Sequence, residues 1–194
     1  MFSDLVNACA FDAIVETGTF KGDSAAYMAT TANLPVYTSE VNPRFNLLAR
    51  VRLRSLSGIS FFQGDSREFL QRLPAILGDQ RKCLFFYLDA HWYADLPLEG
   101  ELGIISQDWQ SFVIMIDDFQ VPGDEGYGYD SYGENQSLTL KRFADVFQRH
   151  RLVPFFPSLA SGEETGIRRG CVVLARETEI VQRITRISSL RKWR

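Results

Sequence analysis

Short apolar runs alternate with longer amphipathic stretches from one end of this 194-residue chain to the other, without a repeat or a low-complexity linker. That alternation constrains the fold more than any other feature, because it is how strands and helices take turns in an α/β domain. Strands are predicted at Asp12 to Glu16, Val36 to Val41, Ile59 to Gln63, Cys83 to Asp89, Phe112 to Asp117, Leu152 to Phe156 and Gly170 to Ala175. The fourth and fifth, CLFFYLD and FVIMID, are nearly unbroken apolar runs, as central strands covered on both faces must be. Helices are predicted over about 22–32, 43–55, 66–77, 99–108 and 136–150, with Pro43 suited to a first turn and Asp65 or Ser66 to a cap. Right-handed crossovers then give an open, doubly wound, mostly parallel seven-stranded sheet with helices on both faces. Such sheets bind ligands beyond the carboxyl ends of their strands, so the polar residues there are the candidates.

A chain of this length builds one core. Residues 1–176 are expected to form a single domain and residues 177–194 a basic amphipathic helix. Its apolar positions Ile180, Val181, Ile184, Ile187 and Leu190 recur at helical intervals beside Arg183, Arg186, Arg191 and Lys192. That helix is expected to lie on the body or to join two copies as a homo-oligomer. A formal net charge of −3 supplies no general field for nucleic acid. Cys9, Cys83 and Cys171 are too scattered for a disulfide framework or a zinc site, which points to a reducing compartment. The first 20 residues hold no Lys or Arg, and no apolar run reaches the ~18 residues of a membrane span, so a cytoplasmic protein without membrane contact is expected.

The first strand ends in ETGTFKG, where Gly18 and Gly22 let the backbone turn tightly beside the Glu16 carboxylate. The spacing is neither GxGxxG nor the GK[ST] of a P-loop, which disfavours a pyrophosphate; a plain strand-to-helix turn is the alternative. Glu40 ends the second strand about 20 residues later, where an acid commonly accepts from ribose hydroxyls. Asp65 follows the third, placed to accept from an amino group or to cap the helix.

ETGTFKG, Glu40, GDS (Gly64 to Ser66) and the DAH end of the fourth strand together resemble the successive motifs of class I S-adenosylmethionine-dependent methyltransferases, over about residues 11–176. The resemblance implies a Rossmann-like domain and a cofactor, S-adenosylmethionine. By position it assigns the methionine moiety to Glu16, Gly18, Thr19 and Gly22, the ribose to Glu40, and adenine to Asp65 with Ser66.

The fourth and fifth strands end in Asp89, Ala90, His91 and in Asp117, Asp118. Carboxylates converging from adjacent strand ends call for a proton or a cation, and a hard divalent ion such as Mg²⁺ takes oxygen ligands; capping by Asp117 and solvent exposure of the others is the alternative. The set is similar to that of the metal-dependent macrocin O-methyltransferase-like enzymes. That resemblance implies Mg²⁺ on Asp89, Asp117 and Asp118 and a base two residues after the first Asp. Here that residue is His91, a competent base near neutrality, which with Asp89 makes up the expected catalytic pair.

Trp92 and Tyr93 follow, and the loop after Asp118 carries Tyr127 and Tyr129 among four glycines; these aromatics are expected to face a small hydroxylated acceptor, sugar-like or aromatic. The function so implied is an O-methyltransferase. The rivals are a metal-dependent hydrolase or hydroxylase on a related scaffold and a non-catalytic binding protein.

Overall fold

The computed structural model describes residues 1–78, 82–90, 96–133 and 136–193. Among them a single eight-stranded sheet runs in the order β3-β2-β1-β4-β5-β7-β6-β8. Its parallel part comprises β1 (Ala13–Thr17), β2 (Val36–Glu40), β3 (Ile59–Gln63), β4 (Leu84–Leu88) and β5 (Phe112–Asp117), while β6 (Val153–Pro157), β7 (Cys171–Ala175) and β8 (Leu190–Lys192) join antiparallel. The helices are α1 (Phe2–Ala8), α2 (Asp23–Ala32), α3 (Pro43–Arg52), α4 (Ser66–Leu77), α5 (Leu98–Asp108), α6 (Leu140–Arg149) and α7 (Thr178–Thr185). This is the expected α/β, Rossmann-like, mostly parallel architecture with one strand more.

The central strands show why apolar runs without alternation were needed. Val15, Phe86, Ile114 and Leu174 point into one apolar layer with α4, α5 and α6. Their chain neighbours Ile14, Phe85, Val113 and Val173 point into the other with α1, α2 and α7. All eight of these side chains are fully buried. Burying each contributes roughly 1.5–3 kcal/mol, so the two layers and not the loops hold the strand ends in place.

Two expectations about elements are corrected, and one helix is added. α1 precedes the first strand and seats Phe2 edge-on against Phe85, their ring centroids 5.1 Å apart. α6 starts at Leu140, capped by the Thr139 hydroxyl, and not near 136. The terminal segment is not one helix: α7 ends at Thr185, and Leu190–Lys192 pairs with Phe155–Pro157. Ile180, Ile184, Ile187 and Leu190 are buried beside Phe2, Leu5 and Val173, so the apolar face offered to a partner subunit is covered by the chain's own core. No helix among the described residues is long and apolar enough to cross a membrane.

Candidate functional site

The strand order reverses between β1 and β4, and the carboxyl ends of those strands carry Gly18 and Asp89. Gly18 has φ +90°, and a Cβ there would lie 2.3 Å from the Asp89 carbonyl oxygen. The glycine is thus required by backbone conformation and by close approach at once. Gly18 and Thr19 donate their N–H groups to the Ser39 carbonyl at 2.9 and 3.0 Å, which draws the turn over the end of β2.

Two cavities meet at this turn. The first, about 320 Å³, is lined by Gly18, Ser39, Glu40, Val41, Gly64, Asp65, Ser66, Ala90 and Pro97. The second, about 340 Å³, shares Gly18, Glu40 and Val41 and adds Phe20, Asn42, Phe45, Asp89, Asp118 and Asp130. Glu40 stands between them. Its Oε2 accepts from the Phe20 N–H and its Oε1 from the Asn42 N–H, both at 2.8 Å. A carboxylate has about four acceptor positions, so two remain for a ligand's hydroxyls.

Several expected ligand contacts take other roles. Glu16 is fully buried; its carboxylate accepts from the Ser24 hydroxyl and, at 2.5 Å, from the Thr38 hydroxyl, which also meets Thr19 at 2.5 Å. Burial pushes Glu16 up to about 7 against the two hydroxyls that lower it. Glu16 and the Thr19 side chain therefore fasten the turn from behind. Gly22, at φ +83°, is the N-cap of α2, and a Cβ there would meet Leu53. Asp65 caps α4 and grips Arg67: Oδ1 accepts from the Arg67 N–H and Nε at 2.8 and 2.9 Å, and Oδ2 from a terminal nitrogen at 2.5 Å. Ser66 lines the first cavity.

The acidic corner is partly neutralised from within. Asp118, at φ +53°, accepts from Arg169 Nε at 2.5 Å, and Asp130 accepts from the other end of the same guanidinium. Asp117 accepts from the Tyr87 hydroxyl at 2.5 Å. Burial first, then Asp117, Asp118 and Glu16, push Asp89 up to about 9, and burial likewise raises Asp117. Among the described residues no three His, Cys, Asp or Glu side chains converge as metal ligands. Asp118 departs from the expected set because Arg169, which has no motif signal in the sequence, claims it.

His91, Trp92 and Tyr93 lie outside the described residues. Tyr127 is buried in the core cluster with its hydroxyl donating to the Leu159 carbonyl at 3.1 Å, so it braces the loop and is not a surface for an acceptor. Tyr129 is 38% exposed and borders a third cavity with Gln120, Val121 and Asp124.

No family model and no curated protein sequence matches the chain. Solved structures do. An O-methyltransferase from Bacillus cereus in complex with SAH aligns with TM-score 0.62 at 16% identity over 91% of this chain and 79% of that one. The fold is that of the S-adenosylmethionine-dependent methyltransferases. A putative caffeoyl-CoA O-methyltransferase from Staphylococcus aureus aligns with TM-score 0.63 at 16% identity over 90% and 80% of the two chains. A precorrin 8w decarboxylase from Methanobacterium thermoautotrophicum also aligns, with TM-score 0.54 at 13% identity over 88% and 83%. The fold alone leaves the reaction open, and the site must argue it.

Proposed function

We propose that this chain is an S-adenosylmethionine-dependent O-methyltransferase acting on a small hydroxylated acceptor. The observation that carries the reading is Glu40: a carboxylate 8% exposed, fixed by two backbone N–H groups, with free lone pairs at the junction of two cavities. That is the acceptor set to which a ribose diol can donate both of its hydroxyls. Val41 and Pro97 give the first cavity apolar walls for a purine, and the Gly18 turn leaves the space a Cβ would fill. The cofactor supplies an electrophilic methyl on a sulfonium. Phe20 and Phe45, packed with centroids 4.5 Å apart, wall the second cavity, where the acceptor is held against the acids.

His91 is the proposed base; it follows Ala90 and Asp89, which line the two cavities. Proton removal by a placed base contributes roughly 10²–10⁴-fold. Alignment of the acceptor oxygen in the second cavity supplies much of the rest. Magnesium fits a reduced ligand set. Mg²⁺ is usually held by one or two carboxylates with its remaining positions on water and substrate oxygens. Asp89 and Asp117, both half-buried and both raised in pKa, would hold it, while Asp118 stays with Arg169. Such an ion would lower the pKa of an acceptor hydroxyl.

Titration calorimetry with S-adenosylhomocysteine tests the reading. The wild type is expected to bind and Glu40→Ala to lose at least tenfold in affinity, the two charge-assisted hydrogen bonds being worth about 1.5–3 kcal/mol each. No binding by the wild type overturns it. Added Mg²⁺ is expected to raise the melting temperature of the wild type and not of Asp117→Asn; equal responses remove the metal and leave the methyl transfer.

A further inference from the structure

Four buried side-chain oxygens among the described residues have no partner in full hydrogen-bonding geometry: Thr17 Oγ1, Ser39 Oγ, Glu101 Oε1 and Ser106 Oγ. Three gather around the first cavity. Ser39 lines it, Thr17 directly precedes Gly18, and the Glu101 carboxylate faces the hydroxyls of Thr17 and of Ser66, another lining residue. Glu101 is 1% exposed in α5, on the face where Leu98, Leu102 and Ile105 are fully buried. An acid in such an apolar layer is costly unless its oxygens are hydrogen-bonded, so its presence there calls for a role that a hydrophobic residue could not fill. Asp65, the expected partner for a purine amino group, has both carboxylate oxygens engaged by Arg67. Ser66 is the adjacent polar group in the wall.

We propose that Glu101 is a positioning residue for the purine: it accepts a hydrogen bond from the Ser66 hydroxyl, so that Ser66 presents a lone pair to the cavity and selects the exocyclic amino group of adenine. The proposal rests on the first cavity being the cofactor's adenosine site. A serine hydroxyl has one proton, and whichever group accepts it fixes the direction of the other bond. An ionised Glu101 can only accept, which makes Ser66 an acceptor toward the ligand. A neutral Glu101 can donate to Ser66, which then turns its proton outward and favours a carbonyl.

The charged groups around Glu101 agree with a carboxylate that changes state near neutrality. Burial pushes it up to about 7; the hydroxyls of Ser66 and Thr17 and the Arg67 charge lower it, and Asp65 raises it. From α6, Arg142 and Arg149 reach α5 at Glu99.

The test compares S-adenosylhomocysteine with S-inosylhomocysteine, in which a carbonyl replaces the amino group, by titration calorimetry on the full chain. The wild type at pH 8 is expected to prefer the adenosyl compound by about tenfold, the scale of one hydrogen bond between neutral groups. The preference is expected to shrink as pH falls through about 7. Glu101→Gln, whose carboxamide can donate to Ser66, is expected to bring the ratio near one at every pH with the melting temperature maintained. Ser66→Ala is expected to abolish the preference while leaving Glu101 in place. A ratio unchanged in Glu101→Gln, or in Ser66→Ala where the first variant does not fold, overturns the proposal. Failure of the wild type to bind either compound overturns the cofactor reading itself.

Discussion

At Gly18 two demands coincide on one α-carbon: a positive φ of +90° and a neighbouring carbonyl where a side chain would begin. Gly18→Ala is expected to destabilise the fold by about 1–3 kcal/mol and to lift the turn from β4, with loss of S-adenosylhomocysteine binding. Thermal unfolding and calorimetry read the two effects separately. Glu16 makes a different prediction. Its folded-state value of about 7 stands above the ordinary 4.5, so its contribution to stability is full below 4.5 and is lost as pH rises through about 7. Glu16→Gln is expected to flatten that fall, which amounts to about 3 kcal/mol at most, in denaturant melts at pH 5 and pH 8. Glu40 and the glycine turn were legible in the sequence, because their spacing reports the ends of successive strands. That Glu16 and Thr19 face inward was not, because residue order does not say which side of a turn a side chain takes. Glu101 was partly legible: Leu98, Leu102 and Ile105 at helical spacing put it on the buried face.

Among elements, the segment after β5 depends on an ion pair between residues far apart in the chain. Arg169 holds Asp118 at the strand end and Asp130 in the loop, while Gly128 and Gly170 exchange backbone hydrogen bonds with the segments on either side. Arg169→Ala is expected to cost about 1–2 kcal/mol, because it strands two carboxylates beside Asp89. It is also expected to speed proteolytic cleavage between residues 119 and 133, whereas wild-type cleavage rates would refute this account of the loop. A loop rich in glycine and tyrosine reads from sequence as a surface for ligands. The structure instead puts Tyr127 into the core and ties the loop by backbone hydrogen bonds from Asp130 to Asp118, Leu138 to Asp130 and Gly128 to Arg168. The helical spacing of Ile180, Ile184 and Ile187 likewise continues to Leu190, but a helix turn and a strand both serve to bury apolar residues there. The open edge of β6 decided the matter, since its unpaired backbone groups accept Leu190–Lys192 as an eighth strand.

For the whole molecule, that last strand covers the β6 edge of the open sheet. A chain ending at Ile187 loses β8 and uncovers the β6 edge with Phe156, which Arg191 and Trp193 otherwise cover. Concentration-dependent association is expected in light scattering, along with a lower melting temperature; an unassociated protein that melts as before would show the edge to be harmless. The strand order also places the site. β1 and β4 are neighbours although β2 and β3 intervene in sequence, so Gly18 and Asp89 meet at the reversal, with Glu40 on one side and Asp117 and Asp118 on the other.

By itself the sequence determined the α/β class, the central strands and the acids that end them, because periodicity and strand-end chemistry are local properties. Only the tertiary structure decided which acids line the cavities and which are engaged by Ser24, Thr38, Arg67 and Arg169, since those partners lie 2 to 51 residues away and their directions depend on packing.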